Sequence, residues 1–265
     1  MNLIKEKKKR DIILSILVIV MSYFIYCIIP IEKINIEDTF LQDFLGEALW
    51  AIIILAFVII LKRLDIYKID INGLKKGWTA GLPLIVLMVL VGLVGLGELN
   101  SATVPTRDIY FFIGEMFLVG FCEETLIRGL VQTSLHNLIG ENKISKVRIA
   151  IAISGIIFGV MHLINAQFIG FLSALTQAIG AAFIGMMISA IYYRTNKNLW
   201  YVIVLHSLND AVGLIASGRL SGISTATILE MTNNYSLVEI LAPAIFYGTI
   251  TAVLLRKKKV EPLLK

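Results

Sequence analysis

The chain has 265 residues, 57% of them hydrophobic and 16% charged, with a mean hydropathy of +0.83; soluble domains are about half apolar and about a quarter charged, so a polytopic membrane protein is expected. The net charge of +5 does not point to nucleic acid, because no basic patch with interleaved aromatics stands apart from the apolar segments. Only two cysteines occur, Cys27 and Cys122, both inside apolar segments, which excludes a disulfide framework and a zinc knuckle.

A run of about 20 apolar residues crosses the hydrocarbon core of a bilayer. Eight stretches qualify, at roughly 11–31, 43–61, 77–97, 109–133, 148–165, 167–193, 199–217 and 236–255. The first exceeds the usual apolar region of a cleaved signal and lacks a small-residue cleavage pattern, so it reads as an uncleaved span. Each stretch is continuously apolar over 18 or more residues and does not alternate, which predicts helices and not a barrel. The expected fold is an all-α polytopic bundle of about eight transmembrane helices, forming one domain over 1–265. Lysine and arginine collect on the cytoplasmic side of membrane proteins. With both termini cytoplasmic, 20 of the 24 basic residues lie inside, only Lys33, Arg107 and Arg219 lie outside, and Arg128 falls within a span.

The first three spans, about 11–97, carry no paired ionisable residues in their centres and read as scaffold; the candidate chemistry lies within about 109–215. Gly155 with Gly159, and Gly180, Ala181 and Gly185, recur at spacings that let helix backbones approach, a packing signal. A Ser/Thr/Gly/Asn-rich stretch from about Ala216 to Tyr235 reads as an irregular loop on the outer side.

The fourth span holds the adjacent acids Glu123 and Glu124. An ionised side chain at the centre of a spanning helix costs roughly 3 kcal/mol or more, so such residues mark function when partners exist. Glu124 and Arg128 are four apart and share a helix face, which suits an ion pair, whereas Glu123 is turned about 100° away, available to accept or donate a proton. Cys122 reads as an inert packing thiol. The fifth span places Phe158 and His162 four apart, and the seventh places His206 and Asp210 at the same spacing. Three helices thus bring ionisable groups into the membrane. Mutual satisfaction is the cheapest way to bury them, so they are expected to meet around a wet cavity.

Glu-Glu-x-x-x-Arg at 123–128, Phe-x-x-x-His at 158–162 and His-x-x-x-Asp at 206–210, in this order on late helices, resemble the CAAX prenyl endopeptidase-like (CPBP or Abi) family of intramembrane proteases over about 109–215. The resemblance implies an endopeptidase that acts on a membrane-associated peptide or protein in the bilayer. Glu123 would activate the attacking water with His162 beside it, His206 and Asp210 would stabilise the oxyanion, and Glu124 with Arg128 would hold the helix in register. Many relatives carry Asn where this chain has Asp210, which can instead orient His206 or ligate metal. Members are called metalloproteases, and Glu123, His162, His206 and Asp210 form a plausible shell for a divalent metal such as zinc; the same set can also bind water directly, and no His-Glu-x-x-His occurs. The substrate classes implied are prenylated CAAX tails, or bacterial precursor peptides such as pheromones and bacteriocin-related peptides. Short length, high Ile and Lys usage and the lack of an organelle signal favour a bacterial plasma membrane.

Three rival readings have separate signatures. A serine protease would use Ser154, but Ala152-Ile153-Ser154-Gly155 lacks the first glycine of the rhomboid-type motif. A proton-coupled transporter would show inverted repeats. A non-catalytic scaffold or immunity factor would tolerate loss of Glu123.

Overall fold

The structure, a computed structural model, describes residues 2–28, 36–101, 104–223, 225–232 and 236–264. Lys33, counted above among the outer basic residues, lies outside them, as does the end of the first expected span. The described residues are helical: α1 (Asn2–Ile28), α2 (Thr39–Ile60), α3 (Ile71–Ser101), α4 (Thr106–Glu124), α5 (Thr133–Ile139), α6 (Ile144–Met161), α7 (Ala166–Ile169), α8 (Phe171–Arg194), α9 (Leu199–Ala216), α10 (Thr225–Thr232), α11 (Leu237–Leu254) and α12 (Lys257–Val260). Six described segments are long and apolar enough to cross a membrane: Thr39–Ile60, Ile71–Gly95, Ile144–Ile169, Phe171–Arg194, Leu199–Ala216 and Leu237–Leu254. Large apolar side chains such as Trp78, Val94, Ile60 and Leu237 point outward, as lipid-facing residues do. The protein is an integral membrane helical bundle.

α4, the fourth expected span, is set apart from those six by its acids Glu115, Glu123 and Glu124, yet it lies inside the bundle between α2 and α9. α2 and α4 run parallel: Asp38, which caps α2 by accepting from the amides of Phe40 and Leu41, also pairs with Arg107 at the start of α4. Phe40 and Phe112 share one core cluster, and Phe44 lies against Gly114. Asn198 caps α9 by accepting from the Tyr201 amide, and Ser236 caps α11 by accepting from the Glu239 amide.

Where a straight helix is expected through 109–133, the structure shows a π-helical segment, Thr125–Gln132, between α4 and α5. Short π stretches are rare and occur mostly at functional sites. Its side chains explain how it is held. Arg128 Nη2 donates to the Gly185 carbonyl at 3.0 Å and Gln132 Nε2 to the Ser189 carbonyl at 2.9 Å, so two side chains four apart grip two carbonyls four apart on α8. Thr133 Oγ1 donates back to the Arg128 carbonyl at 2.9 Å, and the Thr125 hydroxyl meets the Tyr67 hydroxyl at 3.1 Å.

The glycines expected to let helices approach do so between α6 and α8. A Cβ on Gly159 would lie 2.4 Å from the Ala178 carbonyl oxygen and one on Gly155 2.8 Å from the Ala182 carbonyl oxygen, while one on Gly185 would meet Phe158 at 2.8 Å. Gly180 faces only Pro243 at 3.8 Å, an ordinary contact. Gly159→Val is therefore expected to destabilise the bundle by about 1–3 kcal/mol or more, the usual range for overpacking. It should also lower activity by displacing Phe158 and His162. Thermal unfolding in detergent checks the first effect.

The stretch 216–235 is not a plain loop. A tight turn at Arg219–Ser221, bracketed by the left-handed Gly218 (φ 88°) and Gly222 (φ 89°), and the short α10 lie within it. Arg219 is fully buried there, stacked on the Phe40 ring at 3.8 Å and paired with Asp43 at 3.0 Å.

Candidate functional site

The last turn of α4, the end of α6 and the middle of α9 converge. His206, on α9, is the junction. Its Nδ1 lies 2.7 Å from Glu124 Oε1, and its Nε2 lies 3.2 Å from Asp210 Oδ2 and 3.5 Å from Glu123 Oε2. The two adjacent glutamates thus reach opposite edges of one imidazole, which their different directions from the helix allow. A close α4–α9 approach makes this reachable: a Cβ on Gly120 would lie 2.9 Å from the Ile203 carbonyl oxygen.

Glu124 and Arg128 pair at 2.9 Å, as their spacing predicts, and both are fully buried. Glu124 does more than hold the helix in register, because the same Oε1 contacts His206 and Arg128. The Arg128 guanidinium also lies over the Phe158 ring at 4.7 Å. Phe158 in turn meets His162 edge-on at 4.7 Å and His206 edge-on at 5.8 Å. One ring therefore sets the orientation of a cation and two imidazoles.

His162 opens a 3₁₀ turn, His162–Asn165, at the end of α6. Its Nδ1 lies 2.9 Å from the Phe158 carbonyl, which can only accept, so Nδ1 carries a proton and Nε2 is the ring nitrogen left to face the cluster. His162 is within electrostatic reach of Glu123 and Asp210. Asp210 accepts from the Asn209 side-chain amide at 3.2 Å, so an amide donor does stand beside this position, one residue away from where the family pattern has it.

Of the other residues considered, Ser154 is fully buried and its hydroxyl accepts from Ser189 at 3.3 Å, the environment of a packing residue. Cys122 is fully buried within the apolar core.

Among the described residues no three His, Cys, Asp or Glu side chains are arranged to hold a metal ion. The reason is visible at His206. A carboxylate only accepts hydrogen bonds, so its contacts with Glu124 and Asp210 ask both ring nitrogens to carry protons and leave no lone pair for a metal. As placed, Glu123, His162, His206 and Asp210 do not fit a divalent ion.

The sequence reading missed a second group of charges. Asp43 and Glu47 on α2, Glu115 on α4 and Arg219 adjoin the site: Arg219 lies 3.0 Å from Asp43 and 3.9 Å from Glu115, and Glu47 is within electrostatic reach of Glu115 and Glu123. Asp43 and Glu47 are four apart in the sequence, a spacing that puts them on one face of α2 without showing where that face points. Gln132, whose grip on α8 supports Arg128, gave no signal beyond being polar in an apolar run.

Residues 105–212, about two fifths of the chain, match the family described as type II CAAX prenyl endopeptidase Rce1-like. Over those residues the chain is similar to that family. The resemblance carried by the three motifs is thereby borne out, over nearly the span on which they lie. The matched segment begins at the start of α4 and ends within α9, so it contains every residue of the His206 cluster. A CAAX endopeptidase family supports a protease with a membrane-associated protein substrate, in agreement with the integral membrane fold. No curated protein sequence matches the chain.

Proposed function

We propose that the protein is an intramembrane endopeptidase that hydrolyses a peptide bond of a membrane-associated peptide or protein by attack of a water activated by Glu123. The observation that carries this reading is the His206 imidazole held between Glu124 at 2.7 Å and Asp210 at 3.2 Å, with Glu123 at 3.5 Å. Glu123 takes a proton from the water as its oxygen attacks the carbonyl carbon, and returns it to the leaving amine. The Nε2–H of His206, which faces Asp210 at 3.2 Å in the resting site, turns from that carboxylate to the developing oxyanion as it forms, and burial strengthens the new bond. Asp210 orients His206, while Glu124, fixed by Arg128, steadies its far edge. His162 Nε2 helps hold the water beside Glu123. The unit 1–265 acts as a single domain in a bacterial plasma membrane with both termini cytoplasmic, and its helices before α4 frame the matched segment.

The test compares the membrane peptidome of cells that carry the intact protein with that of cells that carry Glu123→Gln at equal abundance. Precursors that accumulate only in the variant support the reading and identify the substrate. Indistinguishable peptidomes would favour a scaffold or immunity factor.

Water activation in this scheme needs only the chain's own carboxylate. Dialysis of the purified protein against EDTA is therefore expected to leave peptide cleavage within about twofold of its starting rate, whereas general-base catalysis itself contributes about 10²–10⁴-fold. Loss of cleavage restored by added zinc would assign the donors to a metal and overturn the scheme.

A further inference from the structure

We propose that Arg148, Arg256, Lys258 and Lys259 form a binding site for the headgroup phosphate of an anionic phospholipid, where α6 begins and α11 ends. The site lies apart from the His206 cluster and does not depend on the reading of Glu123 as a catalytic base.

Two helices long and apolar enough to cross the membrane meet one interface there, α6 from Ile144 and α11 to Leu254. Arg148, one turn in from the start of α6, donates from Nη2 to the Leu255 carbonyl at 2.8 Å. That bond ties the two helix ends together and brings the Arg148 guanidinium to the backbone next to Arg256. A guanidinium has five N–H donors in a fork that matches phosphate, so one donation leaves most of its capacity to hold an anion.

The segment after α11 is anchored to the bundle. Leu255 is buried at its start, Val260 at the end of α12 is fully buried in the main core cluster, and the Tyr193 hydroxyl donates to the Leu263 carbonyl at 3.2 Å. Between those anchors residues 256–259 are all basic and all exposed. An arm held in this way loses little conformational entropy when it binds a ligand. Its cations are also short of protein partners: Lys257 lies 3.9 Å from Glu261, whereas among the described residues Arg148, Arg256, Lys258 and Lys259 pair with no carboxylate.

The chemistry of the ligand follows from where these cations stand. Headgroup phosphates lie just beyond the hydrocarbon core, the level at which spanning helices end. Like charges gathered at two adjoining helix ends repel one another, and a net negative headgroup relieves that repulsion where a zwitterionic one, which brings its own cation, does not. Beside the cations, Ile149 on α6 and Val253 on α11 are exposed and offer acyl chains an apolar surface. A diacyl phospholipid meets both features, and free phosphate meets only the first.

The full-length protein in detergent micelles is titrated with phosphatidylglycerol and, separately, with phosphatidylcholine, and bound lipid is counted by native mass spectrometry. Phosphatidylglycerol is expected to bind at least about tenfold more tightly, and each of Arg256→Gln and Lys259→Gln to weaken it about fivefold, the share of one basic residue at a lipid surface. Arg256→Lys should keep most of the affinity, since a phosphate accepts from either cation. The triple change Arg256→Gln, Lys258→Gln, Lys259→Gln should cost about a hundredfold. Lys62, Lys68 and Lys75, exposed basic residues elsewhere on the molecule, serve as the control: their joint change to Gln removes the same charge and should leave affinity within about twofold. Equal losses from the two triple variants would reduce the site to general surface charge and overturn the inference. So would equal affinity for the two lipids, or displacement of phosphatidylglycerol by inorganic phosphate at the same concentration.

Discussion

Glu123→Gln is expected to lower kcat for cleavage of a membrane-tethered peptide by about 10³-fold, within the range that a positioned general base contributes. KM should move little, because an amide of the same size fills the same space. Stability should not fall: Glu123 makes its nearest described contact with a charged group at 3.5 Å, to an imidazole already held by Glu124 and Asp210, and removal of a like charge relieves the crowding of three carboxylates around one ring. The same measurement on Glu124→Gln should differ in kind. That residue contacts His206 and Arg128 at once, so its loss costs both rate and melting temperature. A Glu123→Gln protein with normal kcat would remove Glu123 from the chemistry, and one that lost activity only in step with folded fraction would make it structural.

The parts of this site legible in the sequence are those that helix geometry makes local. Glu124–Arg128, Phe158–His162 and His206–Asp210 are each four apart, and each pair is in contact or near it in the folded chain. The convergence of the three pairs was also inferable, because buried charges in a membrane must find one another. Rotation of the helices about their axes was not. An almost uniformly apolar span carries no stripe to show which face looks inward, so Asp43, Glu47 and Glu115 gave no sign of pointing toward Glu123. Arg219 was assigned to an outer loop by the charge rule, whereas its guanidinium is drawn inward by Asp43 and the Phe40 ring. The π-helical turn at Thr125–Gln132 was equally hidden. It is held by hydrogen bonds from Arg128 and Gln132 to carbonyls 57 residues away, and no local propensity encodes such contacts.

Arg128→Met is expected to be the most destabilising single change, by about 3–5 kcal/mol, because it leaves Glu124 as a buried carboxylate deprived of its guanidinium. It also removes the donor to the Gly185 carbonyl and the cation over Phe158, both of which tie the π-helical segment to α6 and α8. The partners can be separated by a double-mutant cycle in detergent unfolding. Glu124→Gln combined with Arg128→Met should lose clearly less stability than the two single losses added together, since the second substitution removes the charge that the first leaves stranded. Activity should not return with stability in the double variant, because His206 then lacks the carboxylate at its Nδ1 edge. Recovery of both together would mean that the pair serves only to hold the helices, and strictly additive losses would mean that Glu124 and Arg128 act through separate neighbours.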